Sequence, residues 1–155
     1  MAFNPTEQQK KALDAKGAVL VSAAAGSGKT AVLSNRVVKM VVESDNPVDI
    51  TDLLIVTFTN AAAEEMRERI SSLLGAAAEE HPDNYRIMRQ KLSVDSAHIG
   101  TIDSFCIDIL RDNFAQAGVN PDFKIISNDR LQVMLEQQVK EAFFELSVND
   151  FDGYS

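Results

Sequence analysis

Cysteine, histidine and tryptophan are scarce: one Cys, two His and no Trp in 155 residues. A lone thiol, Cys106, excludes an internal disulfide and fits a reducing cytoplasm. It stands among the apolar neighbours of Ser104-Phe105-Cys106-Ile107-Asp108-Ile109-Leu110 and is expected to be buried and inert. His81 and His98 are far apart and have no cysteine nearby, so they outline no metal site. No apolar run approaches the ~18 residues of a membrane span. The polar N-terminus lacks the basic, apolar and small-residue order of a signal peptide. Positive charge is also short: 15 Lys and Arg face 23 Asp and Glu, for a net charge of −8. That balance argues against a protein that grips nucleic acid by bulk electrostatics. The deficit is uneven, because residues 1–75 carry 8 basic and 9 acidic side chains, residues 76–155 carry 7 and 14. Repeats and low-complexity linkers are absent.

What is present is a 45% apolar content, enough to build the core of one compact domain. Thr6-Glu7-Gln8-Gln9 fits a capping box and predicts a helix from Thr6 to about Ala15, stopped by Gly17. Ala18–Val21 is a short apolar run that suits a buried parallel strand. A helix through Val42 follows the segment Ala23–Thr30, and Asp45-Asn46-Pro47 makes a loop. Leu53–Val56 reads as a second buried strand ending in Thr57-Phe58-Thr59. Asn60 is the expected N-cap of a helix over Ala61–Leu74, with a loop or frayed end from Gly75 to His81. A short helix over Asp83–Leu92 and a strand end at Ala97–Gly100 come next. A helix over about Asp103–Ala117 has Phe105, Ile109 and Phe114 at core-facing spacing, with Gly118 beyond it. Lys124–Ile126 reads as a brief extended piece. A last long helix, capped by Ser127 or Asn128, carries Leu131, Leu135, Val139 and Phe143 on one face. Alternating strand and helix predict an α/β fold with a parallel sheet. The terminal Asn149–Ser155 stops in no recognisable element and reads as a truncation.

The strongest chemical signal is Ala23-Ala24-Ala25-Gly26-Ser27-Gly28-Lys29-Thr30, between a predicted strand and a predicted helix. Glycines let backbone amides turn inward around a polyphosphate, and the helix N-terminus adds favourable partial charge. Lys29 is placed for the β- and γ-phosphates and Thr30 for Mg²⁺, which makes ATP and Mg²⁺ the expected cofactors. The pattern normally opens with glycine; here Ala23 keeps that place small. The loop by itself specifies only a nucleotide.

Thr57-Phe58-Thr59-Asn60 stands at the carboxyl end of the second strand, the edge where open parallel sheets bind ligands. Phe58 either stacks on a base while Thr57, Thr59 and Asn60 bond a strand backbone, or it plugs the core while Asn60 caps a helix.

Together, VSAAAGSGKTAVL, LLIVTFTNAAAEEM and GTIDSFCIDIL resemble the superfamily 1 DNA helicases of the UvrD/PcrA/RecB group. Within that group they resemble the AddA helicase–nuclease subunits more than the simpler helicases. The likeness covers residues 6–117 well and 118–147 more loosely. It implies a P-loop, RecA-like fold. Residues 1–117 would be the N-terminal part of the ATP-binding domain, and 118–155 the truncated start of a helical insertion. It implies that Gln9 recognises adenine, against its local reading as part of the capping box. It places Ala23 to Thr30 on phosphates and Mg²⁺, and Thr57, Phe58, Thr59 and Asn60 in a first single-strand-contacting motif. Thr101, Ser104 and Phe105 fall in a second such motif. Many relatives have histidine where Asp103 stands; an acid there would repel phosphate, and capping the helix at Ser104 is its expected role. Arg69 matches an arginine of the family and is either solvated or functional. Ala31 replaces a basic residue of simpler relatives.

The resemblance further implies a 3′–5′ helicase with a nuclease domain, acting in double-strand break repair and recombination with an AddB-type partner. Hydrolysis needs an acidic pair for Mg²⁺ and the attacking water, and arginines from a facing domain. No Asp-Glu pair follows an apolar strand in the 155 residues. Negligible turnover is therefore expected of this chain alone. Two other readings stand beside this one: a stand-alone UvrD/PcrA-type repair helicase, and a nucleotide-binding docking module that does not translocate.

Overall fold

The structure, a computed structural model, describes residues 3–24 and 26–151, the last four by backbone alone. Two compact units divide the chain, Met1–Ile109 and Leu110–Ser155.

In the first unit, α1 (Glu7–Asp14) begins where the capping box predicts. The Thr6 hydroxyl accepts from the Gln9 amide at 3.3 Å, and the Gln9 side-chain oxygen accepts from the Thr6 amide at 2.9 Å. Then follow α2 (Lys29–Val42), β1 (Leu54–Thr57), α3 (Asn60–Glu80), α4 (Tyr85–Leu92) and β2 (His98–Thr101). α5 (Ile102–Asp112) starts directly from the end of β2. Parallel strands need a long crossover, and α3 with α4 supplies it. β1 and β2 pair in parallel, with Ile55 opposite Ile99 and Thr57 opposite Thr101. This is the expected α/β arrangement of a parallel sheet flanked by helices.

The core follows from apolar spacing on the helices and the sheet. Val37 and Val41 of α2, Met66, Ile70 and Leu74 of α3, and Ile55 and Ile99 of the strands are all buried together with Ile50 and Val94. Burying one such side chain contributes roughly 1.5–3 kcal/mol, so the stripe on α3 accounts for much of the packing that holds helix to sheet.

Several expectations fail here, for physical reasons. Ala18–Val21 forms no strand: no described strand pairs with it, and Leu20 is 96% exposed. A strand exists only as a member of a ladder, and apolar content alone does not provide a neighbour. α3 runs on as regular helix through Gly75 to Glu80, where a loop or a frayed helix end was expected. Gly75 is buried within that helix, and a Cβ there would lie 3.5 Å from the Lys91 side chain of α4. Packing against α4 outweighs the modest helix cost of one glycine. Cys106 is exposed, not buried, because α5 has no buried residue.

In the second unit, the helix expected to reach Ala117 is broken at Asn113, whose φ of −121° and ψ of 29° leave the helical region. Asparagine makes that exit readily because its side chain competes for nearby backbone groups. α6 (Phe114–Ala117) then ends at Gly118 in the left-handed conformation. Lys124–Ile126 belongs to no strand. α7 (Asn128–Phe151) starts as expected, with the Leu131 amide donating to the Ser127 carbonyl at 2.9 Å. The residues read as its core face, Leu131, Leu135, Val139 and Phe143, are all exposed, as are Ile109 and Phe114. Helical spacing aligns side chains on a face, and spacing by itself buries none of them. The reading of Asn149–Ser155 as a truncation falls largely outside the described residues.

Candidate nucleotide and nucleic-acid site

The phosphate loop is built from backbone geometry. Gly28 has φ +81°, in the left-handed region, and α2 starts on the next residue. The positive φ favours glycine there, and a Cβ would come within 3.3 Å of Gln9 Nε2, which would have to shift by a few tenths of an ångström. Gly28 at the N-cap has no side chain to cap α2, which suits first-turn amides that face another acceptor. The Lys29 ammonium donates to the Ala23 and Ala24 carbonyls, each at 2.7 Å, and so bends back over the loop. Thr30 follows it, exposed on the first turn of α2. Ala25, the remaining predicted loop contact, lies outside the described residues. Left-handed glycines, a helix N-terminus and an exposed lysine make a donor set that fits a polyphosphate.

Gln9 takes the capping role and adds a contact to the loop that the sequence did not suggest. Its oxygen completes the α1 cap, while its Nε2 donates to the Ser27 carbonyl in the loop at 3.1 Å. The two ends of one amide thus join helix start to phosphate loop. α1 buries no residue and is held by polar clamps from α2. Arg36 donates to the Ala12 and Ala15 carbonyls at 2.5 and 2.6 Å, satisfying the open C-terminal end of α1. Lys39 meets Asp14 at 2.6 Å. That hydrogen bond, and then the Asp14 charge, hold the Lys39 ammonium above the usual lysine range.

At the carboxyl end of the sheet, the two predicted strand-contacting segments are brought together by register, since Thr57 pairs with Thr101. Phe58 is 104% exposed, so it plugs no core among the described residues. The Thr57 hydroxyl donates to the Thr59 carbonyl at 2.9 Å, and the Thr59 hydroxyl accepts from the Ala62 amide at 3.1 Å. Thr59, one residue earlier than expected, therefore caps α3, and Asn60 is the first helical residue. On the second segment, Thr101 Oγ1 accepts from the Ser104 amide at 3.2 Å and lies 2.9 Å from Ser104 Oγ. Thr101 closes the first turn of α5 in place of Asp103, which sits inside that turn. Phe105 is half-buried and meets His98 edge-on at 5.9 Å. Asn60, Ser104 and Phe105 share the lining of a cavity of about 410 Å³ with Glu64, Arg67 and His98.

Sequence reasoning missed the groups with distant partners. Arg69, the arginine singled out, is paired with Glu65 on the same helix at 3.0 Å. Arg67 instead reaches the Val94 carbonyl at 3.0 Å and the Ile99 carbonyl at 2.7 Å. Asp49 is a second hub: Arg86 and Arg89 each bond it at 3.1 Å, and Gln90 Nε2 at 2.6 Å. Arg86 also donates to the Val41 and Val48 carbonyls. The buried Gln90 returns its oxygen to the Ile50 amide at 2.7 Å.

A glycine turn opening a helix on Lys and Thr, set on a parallel sheet flanked by helices, defines the class: a P-loop NTPase fold. Residues 5–153 match the UvrD/REP helicase N-terminal domain, and the chain belongs to that family. It is 39% identical over 150 residues to the A subunit of the ATP-dependent helicase/nuclease of Clostridioides difficile (strain 630), covering 96% of this chain and 12% of that protein. It is 45% and 46% identical over 141 residues to proteins of the same name from Thermoanaerobacter sp. (strain X514) and Clostridium novyi (strain NT). Each of those alignments covers 90% of this chain and 11% of the relative. The chain thus spans about one-ninth to one-eighth of the length of these relatives. Among the described residues, no helix is long and apolar enough to cross a membrane.

Proposed function

We propose that the chain provides the ATP-phosphate loop and part of the single-stranded DNA track of a 3′–5′ translocating helicase/nuclease. The observation that carries this is the Thr57–Thr101 register, which sets the exposed Phe58 segment and the Thr101–Ser104 segment at one end of one sheet. An aromatic face left exposed by the described residues, flanked by hydroxyl and amide groups, suits base stacking with backbone bonding.

On the nucleotide side, Lys29, which here bonds the Ala23 and Ala24 carbonyls, and the amides after Gly28 would hold the phosphates of ATP. Thr30 would offer its hydroxyl to Mg²⁺, and Gln9 would reach adenine by giving up a bond it makes here to Thr6 or Ser27. Bound MgATP supplies the phosphoanhydride whose cleavage drives movement. The acidic pair and facing arginines that complete hydrolysis come from other parts of the protein, so this chain alone turns over negligibly. The relatives' names support a nuclease activity and a partner chain, of AddB type by resemblance. Repair of double-strand breaks rests on the family resemblance, and a cytoplasmic setting on the lone thiol of Cys106.

Binding of labelled oligo-dT tests the strand track. Affinity should fall with salt and be lost in Phe58→Ala; salt-dependent binding that is indifferent to Phe58→Ala would overturn it. ATP turnover by the 155-residue chain, abolished by Lys29→Ala, would overturn its inactivity.

A further inference from the structure

The two strand-contacting segments leave the sheet from different strands, and something must fix the gap between them. Backbone pairing of β1 with β2 supplies one constraint. A second comes from α3, the helix that follows Phe58. Its Arg67 side chain is only 23% exposed, and its guanidinium spans two main-chain carbonyls, Val94 at 3.0 Å and Ile99 at 2.7 Å. Both acceptors belong to buried residues, 1% and 4% exposed. The Ile99 amide is occupied by the Ala97 carbonyl at 2.8 Å, so both polar groups of Ile99 are bonded outside the β1 ladder. Arg67 thus provides on β2 what a further strand would otherwise supply. Ile99 lies two residues before Thr101, and Arg67 lies two helical turns after Asn60.

We infer that Arg67 is a positioning residue: it ties the helix behind the Phe58 segment to the strand that delivers Thr101 and Ser104, and so sets the spacing of the strand track. The inference rests on the strand-binding reading given above. Arginine is the required residue because a planar fork bridges two acceptors at once, whereas a lysine ammonium on a flexible stem holds one geometry poorly. Glu64 Oε2, 3.8 Å from Arg67 Nε on the same helix, helps orient the fork.

The test uses the full protein with Arg67→Lys, which keeps the charge, Arg67→Gln as a second variant, and Phe58→Ala. Binding of fluorescein-labelled oligo-dT is measured across a salt series, alongside binding of a fluorescent ATP analogue and thermal melting. Arg67→Lys should weaken oligo-dT binding about tenfold, leave the slope against log salt unchanged, and keep nucleotide affinity within about twofold. A slope lowered by about one would make Arg67 a direct phosphate contact and overturn the inference. Equal losses of DNA binding, nucleotide binding and melting temperature in both Arg67 variants would make it a general fold residue, with the same result. Loss of binding in Phe58→Ala but not in the Arg67 variants overturns this inference alone. Binding indifferent to Phe58→Ala overturns the strand-track reading and the inference with it.

Discussion

The Gln9 side chain is bonded to the Ser27 carbonyl at 3.1 Å while its oxygen holds the Thr6 amide, so one amide links the α1 cap to the phosphate loop. Gln9→Glu keeps an acceptor for Thr6 but sets an oxygen against the Ser27 carbonyl and loses the donor. The α1 cap should survive, with stability changing by less than about 1 kcal/mol. Preference for ATP over GTP should fall about tenfold in competition binding, since the site loses a hydrogen-bonding group. An unchanged ATP/GTP ratio would remove Gln9 from adenine recognition.

Lys29 bonds loop carbonyls, and it does so in solvent. Lys29→Ala should therefore melt within about 0.5 kcal/mol of the parent. Nucleotide affinity should drop at least about a hundredfold, because the cation placed for the phosphates is gone. Calorimetric titration with ATP checks this; near-normal affinity in a folded variant would place the phosphates elsewhere.

Gln90 stabilises from the inside. Gln90→Leu leaves the buried Ile50 amide without its acceptor and removes one donor from Asp49. A cost of about 1–3 kcal/mol is expected from the unmet Ile50 amide, because Asp49 keeps Arg86 and Arg89. Urea unfolding should show a lower midpoint with an unchanged slope. A loss below about 0.5 kcal/mol would mean that Asp49 and its arginines hold the site without Gln90.

The Lys39–Asp14 pair makes a pH prediction. The folded Lys39 value lies above the ordinary 10.5, so its contribution is complete below that pH and disappears as pH rises through the folded value. Asp14→Asn should lower stability at neutral pH and have no such effect once Lys39 is deprotonated. Side-chain NMR should show Lys39 titrating lower in Asp14→Asn than in the parent; identical titration curves would dissolve the pair.

Local signals were legible because their cause is local. Thr6 and Gln9 lie three residues apart and form the predicted box; Leu53–Val56, with a turn on its flank, becomes β1 with a shift of one residue. Gly118 stands just past a helix end, in the left-handed conformation that its missing Cβ permits. Apolar pattern failed for Ala18–Val21 and for the Leu131 face, where the missing fact is a neighbour and not a spacing. Cap residues slipped by one or two places, from Asn60 to Thr59 and from Asp103 to Thr101, because several adjacent side chains are chemically competent. Arg67, Arg86 and Gln90 were invisible: their partners lie 27 to 45 residues away, and only the closed fold brings them within reach.

Phe58 stands clear on an elbow whose hydroxyls are already committed, one to a carbonyl and one to a helix amide. The freedom a loop would surrender on meeting a ligand was given up here when the chain folded. On the proposed strand track, a base stacking on the ring would cost little backbone freedom beyond that of the ring and of the base itself. Such a surface suits brief, repeated contacts that must be made and released without reshaping the polypeptide each time.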